Sequence, residues 1–363
     1  VTPTATEGIV ADQAIFTSIR SPLGGSGYRV VAASPGLASD EKRQIIQCAP
    51  SHHSLCDESP GSTALGCFQL NGGRYSLFLS CSAGVEATAR GGCRVHTHVL
   101  LLTPRDYGRF DFDPLRVQTA AEATLDDQWT RKPPSRLRAL PLEPPDGTPG
   151  EGQPPTPAPP AAASTPERVA FILAAMLEER RLLVTGVPAP RDTVRWLYAA
   201  TPMACRARVA ISYGIRFAPA RPFAIMLEHG EVTKAVELAR QQGIDVQEWD
   251  TLPNPPSSIY DRWLAFVCRW IGSSRYEALS HLTGSMRQAQ APEALSQVVA
   301  LSEDLERIPD EGKEAVEELI VQYQHFTPSC PTAARLHERV AQALEARREV
   351  FRTADPPPEE QAD

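Results

Sequence analysis

Apolar residues alternate with a period of two through the first third of the chain and recur with the 3.6-residue period of a helix through the last third. Residues 14–19 and 28–33 alternate with β-branched and aromatic side chains, so they predict a pair of strands. Between them Pro22, Gly24, Gly25 and Gly27 supply loop chemistry. Ser34 before Pro35 reads as a helix cap, and residues 40–48 as a short helix carrying Ile45 and Ile46. A second hairpin joins 67–70 to 74–79 through Asn71-Gly72-Gly73. Residues 94–103 end in the apolar run Val99-Leu100-Leu101-Leu102, which suits a central strand covered on both faces, and 106–115 read as an irregular exit.

The pattern changes at residue 132. Twelve of the 34 prolines lie between Lys132 and Pro166, a stretch that reads as an extended spacer. After it Thr165-Pro166 opens a helix with Val169, Ile172, Leu173, Met176 and Leu177 on one face. Residues 182–186, 208–213 and 223–227 read as strands, alternating with helices at 193–200 and 232–240. Beyond the prolines at 253–256 the chain predicts helices at 259–270, 293–308, 312–326 and 332–352. The expected class is α+β. A β-rich antiparallel α+β domain spans 10–118 and a Pro-rich linker 132–165. An α/β middle domain spans 166–252, a helical region 257–352 and a disordered tail 353–363.

Composition narrows the function. The net charge of −8 disfavours nucleic acid as a partner, because phosphate affinity needs clustered Lys and Arg. No uncharged stretch approaches a membrane span and no export signal opens the chain, so a cytoplasmic protein without a membrane partner is expected. Eight scattered cysteines are too sparse for a disulfide scaffold. The loop Gly24-Gly25-Ser26-Gly27 lacks the spacing of a phosphate-binding loop, and Gly25-Ser26-Gly27 lacks that of a nucleophile elbow. His52, His53, Cys56, Cys67, Cys93, His96 and His98 are metal-ligand types, yet no CxxC pair accompanies them. No catalytic residue, metal or cofactor is therefore assigned. The rival reading is a hydrolytic enzyme built on Cys93, His96 and His98; a third is a scaffold acting through its linker and C-terminal helices.

The run Gln13-Ala14-Ile15-Phe16-Thr17-Ser18, followed by Gly27-Tyr28-Arg29-Val30-Val31-Ala32-Ala33-Ser34-Pro35-Gly36-Leu37, resembles the N-terminal domain of bacterial GTPase-associated proteins. Tyr75-Ser76-Leu77, Arg90-Gly91-Gly92 and His98-Val99-Leu100-Leu101 resemble its downstream pieces. The chain departs from the pattern before Arg90, where Gly84 and Glu86 stand in place of an acidic-glycine approach. The resemblance covers about 10–115 and is looser over 166–350, where it rests on the general layout and on 196–214. It implies a non-enzymatic adaptor or regulator acting beside a GTPase in a conflict or defence-type system. It also implies candidate binding positions at the surface: Gln13, Thr17, Ser18, Tyr28, Ser34, Arg90 and His98.

Overall fold

Alternation at the N-terminus produces long antiparallel strands: β1 (Ile9–Arg20), β2 (Ser26–Ala33), β3 (Thr63–Gln69), β4 (Tyr75–Val85) and β5 (Cys93–Leu102). The computed structural model describes residues 8–20, 26–86, 92–122, 133–144, 165–230, 233–254, 257–288 and 291–354. The β3–β4 hairpin closes where the Asn-Gly sequence predicts. Gly73 takes φ 85°, and the Gly73 N–H donates to the Leu70 carbonyl at 2.8 Å. Helix α1 (Ser39–Cys48) begins later than Ser34. The role expected of Ser34 passes to Glu41, whose carboxylate accepts the Ala38 N–H at 3.0 Å. The expected irregular exit holds two helices, α2 (Pro104–Gly108) and α3 (Pro114–Glu122). The hydroxyl oxygen of Thr103 caps the first by accepting the Asp106 N–H.

Two features of the linker stretch depart from a plain spacer. Residues 133–144 are laid against the sheet, and β6 (Leu140–Leu142) pairs antiparallel with Ile9–Ala11 of β1. Both Leu140 and Leu142 are buried, and that burial offsets the proline between them at the sheet edge. Linker residues 132 and 145–164 lie outside the described residues, as do 355–363 of the expected tail.

The body continues the same sheet. Helix α4 (Pro166–Leu177) leads into β7 (Leu182–Thr185), then α5 (Pro190–Ala200) and α6 (Met203–Arg206). Next come β8 (Ile211–Tyr213), β9 (Ile225–Leu227), α7 (Thr233–Gln241) and β10 (Asp245–Glu248), a strand not foreseen in the sequence. The strand order is β10-β7-β9-β8-β3-β4-β5-β1-β2, with β6 beside β1. Four body strands run parallel to one another, and β8 meets β3 antiparallel through Leu65–Tyr213, Gly66–Ser212 and Cys67–Ile211. The two stretches separated in the sequence thus share one ten-stranded α+β sheet.

Two cores lie on its two faces. One gathers Leu100 and Leu102 of β5, Leu182 and Val184 of β7, and the buried sides of α3, α4 and α5. The other gathers Val99 and Leu101, Leu183 and Met226 with Ile45 of α1 and Ala239 of α7. Helix α4 is buried from Val169 to Leu177 because it is sandwiched, with the sheet on one side and α8 (Asp261–Gly272) on the other. Helices α9 (Tyr276–Gly284), α10 (Pro292–Arg307), α11 (Lys313–Gln324) and α12 (Pro331–Ala354) complete the outer layer. Among the described residues no helix is long and apolar enough to cross a membrane.

The β3–β8 seam admits no side chain at Gly66, where a Cβ would lie 2.5 Å from Phe223 Cζ. Gly66→Ala is expected to lower stability by about 1–3 kcal/mol through overpacking, measured by urea unfolding. An unchanged midpoint would contradict the close approach.

Candidate functional site

The strand motif turns inward. Gln13, Thr17, Ser18, Ser34 and His98 are each at most 4% exposed, so their expected surface placement is corrected. Tyr28 is half-buried, and Arg90 lies outside the described residues. Register explains the burial: Gln13 stands opposite Leu100, Ile15 opposite His98 and Thr17 opposite His96, in the middle of a covered sheet.

Buried polar groups need partners, and here the motif supplies them to itself. His98 Nε2 donates to Gln13 Oε1 at 2.6 Å, and the Gln13 amide donates to the Arg138 carbonyl. The Gln13 N–H donates to Ser34 Oγ at 3.0 Å, and the Ser34 N–H returns a bond to the Gln13 carbonyl. Ser34 Oγ in turn donates to Asp12 at 2.7 Å. Arg74 closes the network by bonding Asp12 at 2.6 Å, both oxygens of Glu41, and the Gly36 carbonyl. That guanidinium holds Glu41 below the usual carboxylate range. Gly36 presses on the Asp12 carboxylate so closely that a Cβ would overlap it. The motif is thus a clamp joining β1, the turn after β2, α1 and the start of β4. Farther along, Thr17 donates to the Val95 carbonyl and Tyr28 Oη accepts the Val95 N–H at 2.9 Å. Ser18 donates to Glu86, whose other oxygen lies 2.9 Å from His52 Nδ1.

The hydrolytic reading does not survive this register. His96 and His98 share the face of Leu100 and Leu102, whereas Cys93 turns to the opposite face, where its Sγ lies 2.9 Å from Ser82 Oγ. Burial lowers the imidazoles further, to about 4 at His96 and about 3 at His98, where the neighbouring His96 adds to the effect. A nucleophile and base on opposite faces of one strand cannot exchange a proton.

A crevice that the sequence did not announce lies elsewhere, at the carboxyl ends of the parallel strands. From β7 the chain passes to α5 on one face of the sheet; from the adjacent β9 it passes to α7 on the other. Neighbouring strands whose connections diverge in this way leave a gap beyond their ends, the usual ligand position in open α/β sheets. Here the gap is a crevice of about 270 Å³. The body contributes Arg191, Tyr213 and His229 to its walls, and the loop before β3 contributes Cys56, Asp57 and Ser62. Gly214, at φ 68°, makes the turn that brings Cys56 to β8, and the Cys56 N–H donates to its carbonyl at 2.9 Å. His229 Nδ1 donates to the Val187 carbonyl at 3.0 Å. Burial, reinforced by nearby Glu228, pushes the Cys56 thiol up to about 12, so it stays protonated and is no nucleophile. The arrangement can bind a small polar ligand through hydrogen bonds. The signal available in the sequence was a glycine directly after two of the short apolar strands, Gly186 after β7 and Gly214 after β8.

Beneath the crevice the head and body loops are tied by buried Arg221. It donates to the Cys48 carbonyl at 3.2 Å and to Ser54 Oγ at 2.7 Å. Burial lowers this guanidinium to about 10 and raises Glu228 to about 7, although the Phe217 N–H donates to that carboxylate.

Residues 10–143 match the family model described as GTPase-associated protein 1, N-terminal domain type 2. The matched stretch opens in β1 and closes just beyond β6, the strand that returns to pair with β1. The family's name points to association with a GTPase. No curated protein matches the chain.

Two pH measurements follow. Neither His96 nor His98 is expected to titrate between pH 7.5 and 5 by NMR; a midpoint above 5 at either would contradict the buried, neutral pair. Glu228 behaves in the opposite sense to a paired carboxylate. Its folded-state pKa is raised, so the folded state is penalised above about pH 7 and relieved as pH falls toward the ordinary value of 4.5. Glu228→Gln is therefore expected to be more stable than wild type at pH 8, with the difference vanishing by pH 5. A difference in melting temperature that is constant with pH would refute the raised carboxyl.

Proposed function

We propose that this chain is a non-enzymatic adaptor or regulator that works in the cytoplasm beside a GTPase, in a bacterial conflict or defence-type system. The observation that carries the reading is the family match over residues 10–143. The chemistry of the matched region supports it. The motif side chains are spent on one another in a clamp, so what the region offers outward is a shaped surface with no reactive group in the clamp.

One part of that surface is suited to a partner. Strand β2 ends the sheet, and among the described residues the one donor from outside β1 to its main chain is the Leu137 N–H, which reaches the Ala33 carbonyl. Its outer edge from 26 to 32 otherwise faces outward among the described residues, with Arg29 exposed beside it. Edge strands bind an added strand through main-chain hydrogen bonds, and flanking side chains choose the partner. We infer that the GTPase contacts the head along this edge.

The test is co-purification of the full-length chain with the GTPase encoded beside its gene, together with the GTP turnover of that enzyme. Retention of the GTPase or a change in its turnover is expected. Arg29→Glu is expected to weaken the complex about fivefold or more, the effect of a contact worth roughly 1 kcal/mol. Neither retention nor altered turnover would overturn the association. Binding by Arg29→Glu equal to wild type would overturn the edge contact alone.

A further inference from the structure

A groove lies in the outer helical layer, where α8, α9, α10 and α12 meet. It encloses about 410 Å³, within the range of about 300–1,000 Å³ usual for small-molecule sites. The floor is apolar, made by Trp270, Leu282, Leu305 and Leu336. Two nearly buried hydroxyls interrupt it, Ser302 and Thr332. Both donate to main-chain carbonyls, of Val298 at 2.7 Å and Ser285 at 3.3 Å, so their oxygens face the groove as acceptors only.

The lip carries a different signal. Arg335 and Arg339 stand there with His281, and the one acid, Glu306, is bonded to Arg275. Arg335 gives one donor to the Ser285 carbonyl at 3.2 Å, and its other donors have no partner among the described residues. Arg339 has no ion-pair partner among the described residues. A concentrated positive lip on a chain of net charge −8 is a local choice of sign. Apolar depth beneath a doubly cationic rim is complementary to one kind of molecule: an alkyl chain that ends in an anion.

We propose that this groove binds a medium-chain carboxylate, with the alkyl chain on the Trp270–Leu336 floor and the carboxylate held by Arg335 and Arg339. The site is independent of the GTPase reading and of the crevice at the strand ends. It gives the outer helical layer a ligand, and α12, which carries both arginines, is the element whose position that ligand would fix.

The experiment is calorimetric titration of the full-length chain with hexanoate, octanoate and decanoate, with decanol and decyltrimethylammonium as controls. Saturable one-to-one binding is expected, tightening about fourfold for each added methylene, the ratio that corresponds to about 0.8 kcal/mol per buried CH₂. Decanoate is expected to bind at least tenfold more tightly than decanol, and the cationic amphiphile not to compete. Arg335→Glu combined with Arg339→Glu is expected to cost at least tenfold in decanoate affinity while the circular dichroism stays unchanged. Ala278→Phe, which fills the groove at its wall, is expected to abolish binding and leave the melting temperature unchanged or raised. Absence of saturable decanoate binding would overturn the proposal. So would equal affinity for decanol, or full binding by the double charge variant.

Discussion

Three ladder pairs, with a single bridge of Leu55 to Ile215 beyond them, hold the two halves of this protein in one sheet. Leu65, Gly66 and Cys67 of β3 lie antiparallel to Tyr213, Ser212 and Ile211 of β8. Everything else depends on that short seam. It places the loop before β3 against the carboxyl ends of the body strands, and so creates a crevice that neither half contains alone. It carries the two cores continuously from head to body, so that Leu100 and Leu182 belong to one cluster and Val99 and Leu183 to the other. At the seam Gly66 lets the ring of Phe223 approach the backbone, and the junction is reinforced by the Arg221 bonds to Cys48 and Ser54.

The legible part of the fold is the part written in local periodicity. Alternation located β1 to β5 and the Asn-Gly hairpin, and helical spacing located α4, α8, α10, α11 and α12, whereas α9 was not foreseen. What was not legible depends on distant partners. Leu140-Pro141-Leu142 is too short and too proline-flanked to announce a strand, and it becomes one only because Ile9–Ala11 offers an edge. Asp245–Glu248 has little apolar content and is a strand by virtue of lying beside β7. The proline run read as a divider of two folding units. No local pattern encodes the pairing of β3 with β8 that joins the sheet across it.

The candidate residues illustrate the same limit. A polar residue in a strand motif reads equally as a surface contact or as part of an internal network, and only register decides between them. Gln13, Ser34 and His98 were recognisable as a set, and they do act together, but on one another and on Asp12 and Arg74. Arg74 and Glu41 were absent from the sequence reading because they lie outside the motif's spacing. Their roles follow from where the β3–β4 hairpin and α1 come to rest. The pattern that carries the resemblance is therefore the pattern that shapes the fold of this chain.

The central claim is that head and body are one cooperative sheet, and native-state hydrogen exchange tests it most directly. The amides of Leu65–Cys67 and of Ile211–Tyr213 that are bonded across the seam are predicted to exchange with the same free energy. That free energy should fall in parallel with added denaturant, as for a single unfolding unit. Exchange of the β8 amides more than tenfold faster than those of β4 and β5, with a separate denaturant dependence, would contradict the account.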